Sequence, residues 1–155
     1  MARRHNLNDT ALDVIIGAVS REVDNYCGRH FYTSAADETR YYTPDDDRVL
    51  FPQDDIISIT SIAYDDDGDG TYETTVDTDD YYLCPDNAVV MSRPYSWLQV
   101  TGDGERLPMG VRRGVKIVGR FGWSAVPDAI KEATLMQALR TWKRRDAPFG
   151  TVNNP

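Results

Sequence analysis

The chain has 155 residues, with 25 acidic and 17 basic side chains, a formal net charge of -8 and a pI of about 4.6. That length suits one core rather than two. Such a charge repels phosphate backbones, which excludes stable nucleic-acid binding unless basic residues cluster, and Arg3-Arg4, Arg112-Arg113 and Lys143-Arg144-Arg145 are all short.

No apolar run is long enough for a membrane span or a signal-peptide core. Cys27 and Cys84 lie far apart without metal-ligand spacing. They read as free buried thiols of a soluble, intracellular product, with a disulfide between them as the alternative.

Residues 1 to 7 are polar, and Asn8 or Asp9 can cap a helix by accepting a hydrogen bond from an otherwise unpaired N–H. From there Leu12, Ile15, Ile16, Val19, Val23 and Tyr26 recur at three- and four-residue steps, leaving Asp13, Arg21 and Asp24 outside. The spacing predicts an amphipathic helix over about 9–27, ended by Gly28 in the left-handed conformation.

Between Thr39 and Val118 the period shortens to about two. β-prone runs occur at Thr39–Tyr42, Arg48–Phe51, Ile56–Tyr64, Tyr72–Val76, Tyr81–Leu83, Val89–Met91 and Leu98–Val100. Pro44, Pro52, Pro85, Pro94 and Pro108 fall between or at the ends of these runs, because proline cannot donate to a sheet ladder. A last strand carries Val115, Ile117 and Phe121, loosened at its end by Gly119 and Gly122.

A second helix is expected over about 127–146, with Pro127 at its start. Asp128 and Glu132 near its beginning, and Lys143, Arg144 and Arg145 near its end, complement the helix dipole. Residues 147–155 follow as a tail. Ile130, Ala133, Leu135, Met136, Ala138, Leu139 and Trp142 spread around most of this helix rather than forming one stripe. A second apolar face needs a second partner, either the chain's own elements or a neighbouring subunit. The architecture is α+β in one domain, two helices flanking a mainly antiparallel β block over about 39–121.

Asp65, Asp67 and Asp69 alternate and are followed by Gly70, the opening pattern of a calcium loop. Thr71 would supply its carbonyl, and Glu73 a carboxylate or a bridged water. The twelfth position is Val76, so the bidentate acid is missing, and the flanking segments read as strands rather than helices. The plain alternative is a polar hairpin tip built from turn residues. Asp45-Asp46-Asp47 reads as a solvated turn. No cofactor is required, and calcium is the one candidate.

Catalysis has no support in the pattern. His5 and His30 stand apart from any nucleophile, no serine sits in a nucleophile elbow, and Gly102-Asp103-Gly104 lacks the strand–helix setting of a phosphate loop. Trp97, Trp123 and the pairs Tyr41-Tyr42 and Tyr81-Tyr82 read as core or sheet-face residues. Trp142, beside Lys143-Arg144-Arg145, is a candidate interface anchor.

Several stretches together resemble the head–tail connector proteins (adaptor or head-completion proteins) of tailed bacteriophages, also found in prophages and gene transfer agents. They are VDNYCGRHF at the end of the first helix, IISITSIAYDDDGDGTYE, the DYYL strand, VKIVGRFGW, and VPDAIKEATLMQALRTWKRRDAPFG. Their order and spacing, over nearly the whole chain, carry the resemblance. The β block is longer than in the smaller, mostly helical members.

The resemblance implies a structural virion protein without catalysis, located at the head–tail junction after assembly in the host cytoplasm. Such proteins form a ring, typically of twelve copies, under the portal protein. They extend the DNA channel and receive a stopper or tail-completion protein, without binding DNA specifically or meeting a membrane. Helices packed side by side around the ring would account for the doubly apolar second helix, with Leu139 at the contact. The segment from Trp142 on would reach the portal, with Arg144, Arg145 and Phe149 as contacts. Two other readings remain: a calcium-stabilised β-rich binding module, and a neighbouring tail-completion or stopper protein. Stopper proteins tend to be small β barrels, and the two helices count against that.

Overall fold

The structure is a computed structural model that describes residues 7–144. Its elements follow in the order α1 (Leu7–Cys27), β1 (Glu38–Tyr42), β2 (Val49–Leu50), β3 (Ile56–Tyr64), β4 (Thr74–Val76), one 3-10 turn (Thr78–Asp80), β5 (Tyr81–Cys84), β6 (Trp97–Val100), β7 (Val115–Phe121) and α2 (Asp128–Arg144). The expected α+β arrangement is therefore present. By its contacts the chain divides into two compact units, one of Met1–Gly28 with Val126–Pro155, the other of Arg29–Ala125.

In the helical unit α1 packs against α2, and Val19 and Ala138 are buried. Gly28 ends α1 with φ +61°, its N–H donating to the Asn25 carbonyl at 3.3 Å, as the left-handed glycine cap requires. Pro127 stands just before α2 rather than inside it, and its carbonyl accepts the N–H groups of Ile130 and Lys131. Two side chains of α1 depart from the periodic reading. Asp24 is buried rather than outside and pairs with Arg21 one turn back at 3.0 Å, whereas Tyr26 is almost fully exposed. Cys27 is exposed as well, so only Cys84 is a buried thiol; both are free.

The β unit is built on β7, whose residues alternate between buried and half-buried. Antiparallel pairing gives a four-stranded sheet in the order β1-β7-β3-β4 and a three-stranded sheet in the order β2-β6-β5. Inward residues of both sheets share one core: Ile62, Ile117 and Phe121 from the first, Leu50, Leu98 and Val100 from the second. Complete burial of such side chains contributes about 1.5–3 kcal/mol each.

The register of β3 on β7 shifts between Ile56 and Ser58 and again between Ile59 and Ser61. At that irregularity the two backbones approach so closely that a Cβ on Gly119 would lie 2.2 Å from the Ser58 carbonyl oxygen. Gly119 thus does not loosen the strand end. Its missing side chain is what lets the bulged strands pair.

The run Val89–Met91, expected as a strand, is a turn. Met91 donates to the Asn87 carbonyl and Arg93 to that of Ala88, and Ser92 adopts φ +53°. Its β-branched residues have no partner strand to pack on. β4 is also shorter than expected, since Tyr72 and Glu73 precede the ladder.

Candidate functional site

The acidic loop follows β3 directly. Asp65 is only 2% exposed, and its carboxylate is held inside the turn it closes. Oδ1 accepts the Gly68 N–H at 2.7 Å and Oδ2 accepts the Gly70 N–H at 2.9 Å. Both glycines have positive φ, +80° and +93°. Asp67 accepts from the Asp69 N–H, Asp69 from the Thr71 N–H, and Asp66 from the Thr74 hydroxyl. The outcome is that oxygens of Asp65, Asp67 and Asp69 lie within 4.8 Å of one another. Glu73, exposed in the approach to β4, is not among them.

A ladder of cations and rings secures the base of this loop. The Arg113 guanidinium lies 4.1 Å from the Tyr41 ring, Tyr41 stacks obliquely on Tyr72, and the Lys116 ammonium lies 4.5 Å from the Tyr72 ring. The Tyr72 hydroxyl donates to the Arg113 carbonyl at 2.8 Å. In the neighbouring Asp45-Asp46-Asp47 turn, the N–H groups of Arg48 and Val49 hold the exposed Asp46 carboxyl below the usual carboxylate range.

The second candidate surface is on α2. Ala138 faces inward, and Ile130 and Thr134 are half-buried, whereas Leu135, Met136 and Leu139 are 55%, 50% and 54% exposed. With Lys143 they share an arc of about 100° at helical spacing. The doubly apolar character of this helix thus becomes one covered and one open face. Trp142 is half-buried, and Lys143 and Arg144 are exposed; Arg145, Phe149 and the tail 147–155 lie outside the described residues.

Sequence reasoning missed a third surface, the outer face of the three-stranded sheet. Phe51 and Tyr82 are 69% and 61% exposed there, and the Phe51 ring centroid lies 5.8 Å from that of Trp97. Cross-strand register sets Tyr82 opposite Gln99 and Cys84 opposite Trp97. An open groove of about 460 Å³ is lined there by Tyr82, Cys84, Pro85, Asp86, Trp97 and Gln99. Burial, and then the Asp86 carboxylate beside it, push the Cys84 thiol up, away from reactive thiolate. The signal was present in YYLC and WLQV: a strand whose two faces both read apolar, with Gln99 the lone polar side chain, has more than one partner.

No protein-family model matches the sequence, and no curated protein is similar to it. Chains of solved structures are. One belongs to the neck of an empty gene transfer agent particle computed with C6 symmetry. It matches with a TM-score of 0.59 at 19% identity, over 95% of this chain and 72% of its own. Another, from the neck of a native particle computed with C12 symmetry, has a TM-score of 0.59 at 20% identity, over 94% of this chain and 76% of that one. A third, from the virion of a native gene transfer agent particle, has a TM-score of 0.56 at 20% identity, over 96% and 74%. Their fold is this chain's fold.

The resemblance to head–tail connectors read from the sequence agrees with that likeness. It extends across both units, since nearly the whole chain is covered.

Proposed function

We propose that the chain is a structural subunit of the neck of a phage-like particle, at the junction of head and tail. In this reading copies form a ring under the portal, twelve in number, that extends the DNA channel and receives a stopper or tail-completion protein. The role involves no catalysis. What carries the reading is the likeness over at least 94% of the chain to neck chains from particles computed with C6 and C12 symmetry. The open apolar face of α2 is consistent with it, because a ring subunit must bury surface against its neighbours. The segment from Trp142 on, with Arg144, Arg145 and Phe149, is assigned to the portal. A net charge of -8 lets DNA pass along the channel without adhering.

Deleting the gene in a strain that produces the particles tests the proposal by electron microscopy. Tailless heads that have packaged and then lost DNA are the expected result. Normal, infectious, tailed particles would refute it.

One observation favours an addition: three carboxylates gathered within 4.8 Å repel one another unless a cation lies between them. A calcium ion on Asp65, Asp67 and Asp69, with the Thr71 carbonyl and Glu73 as further ligands, would order the loop. Titration calorimetry with millimolar calcium is expected to give a binding heat that Asp65→Ala removes. With no heat, the loop is a turn alone, and the binding-module alternative falls with it.

A further inference from the structure

Closure of a ring imposes a condition on its subunits. Every copy must present two different surfaces, each complementary to the other on the next copy. Among the open apolar surfaces of the described residues, two lie on regular elements of different units: the α2 face of Leu135, Met136 and Leu139, and the sheet face of Phe51, Tyr82 and Trp97.

Charge decides how they combine. The Arg29–Ala125 unit holds 18 carboxylates against 9 basic side chains, a net charge of -9, while the helical unit is left at +1. Sheet face on sheet face would bring two strongly acidic bodies together. The α2 face instead carries Lys143, with Arg140 at its border, and the groove on the sheet carries Asp86.

We infer that the outer face of the three-stranded sheet is the seat for α2 of the adjacent copy, resting on the ring reading above. Leu135, Met136 and Leu139 lie across Phe51, Tyr82 and Trp97, and Lys143 or Arg140 meets Asp86 at the rim. Aromatic side chains on the sheet offer large, rigid apolar area, the kind that anchors interfaces. The chain thereby uses these two faces in one contact, repeated by the ring's rotation.

A photo-crosslinking residue in place of Tyr82 tests this in the full-length chain, at high concentration and in assembled particles. Self-crosslinks whose partner peptide covers Leu135–Lys143 are expected. Asp86→Lys is expected to lower the yield of that crosslink at least tenfold, and Asp86→Lys combined with Lys143→Glu to restore it. Self-crosslinks from Tyr82 to another sheet, or self-association that leaves Tyr82 uncrosslinked, overturn the seat and leave the ring reading standing. Tyr82 crosslinks to a different protein overturn the seat in the same way. A chain that gives no self-association in either sample overturns both.

Discussion

Gly122→Ala is expected to destabilise the β unit severely. Gly122 follows β7 with φ +96°, a conformation that side-chain-bearing residues rarely adopt. The larger obstacle is space: a Cβ there would sit 1.8 Å from the Tyr32 carbonyl oxygen. That carbonyl cannot simply move aside. It accepts the Trp123 N–H, Thr33 pairs with Gly122, and the Gly122 N–H donates to the Asp55 carbonyl at 2.8 Å. Yielding at this point breaks the link between the chain entering the unit and the end of its central strand. The expected cost is about 4 kcal/mol or more, among the largest that a single substitution produces.

Gly70→Ala supplies the comparison, because Gly70 has φ +93° with nothing within 4 Å of its would-be Cβ. It carries the backbone strain alone, about 1–2 kcal/mol. Urea denaturation followed by circular dichroism measures both. Equal losses in the two variants would show that the close approach at Tyr32 does not matter.

Asp55→Ala is also expected to destabilise the β unit. Asp55 is buried just before β3, where Oδ1 accepts from the Arg29 guanidinium at 3.0 Å and Oδ2 from the Trp123 indole N–H at 2.7 Å. One carboxylate therefore joins the first residue of the unit, the start of β3 and the segment after β7. Removing it strands the indole donor and leaves the guanidinium without its partner, at a cost of about 2–3 kcal/mol. Arg29→Ala removes only a half-exposed partner and should cost about 1 kcal/mol or less. Tryptophan fluorescence during urea unfolding reads the environment of Trp123 directly. If the two variants lose the same stability, the indole bond contributes nothing.

The two helices and most strands were legible because each is set by a repeating local choice. Most of the period of α1, its glycine cap and the charge order of α2 agree with the structure. The apolar surplus of α2 also translated into an open face at Leu135, Met136 and Leu139. What escaped depends on tertiary contact. Val89–Met91 has strand composition but no strand beside it, so propensity had nothing to act on. Asp24 lies where the helical period expects a solvated residue, yet it is buried. Gly119 and Gly122 read as loosening residues because sequence carries no sign of the Ser58 and Tyr32 carbonyls pressing on them.

The surfaces divide in the same way. The alternating aspartates of the acidic loop pointed to clustered carboxylates, and Asp65, Asp67 and Asp69 are clustered. The aromatic sheet face was hidden by treating Trp97 and Tyr82 as ordinary sheet residues. Only the pairing of β5 with β6, and of β2, which Phe51 follows, with β6, gathers them on one side.

The helical unit draws on both sides of the β unit in sequence: α1 precedes Arg29, and α2 follows Ala125. During synthesis α1 therefore emerges first and waits for a partner made more than a hundred residues later. The β unit, complete by Ala125, can fold in the interval, while α1 has only marginal helicity of its own. Translation that stops before α2 leaves α1 without the helix it packs against. Quality control by chaperones and proteases would recognise such a product by that segment.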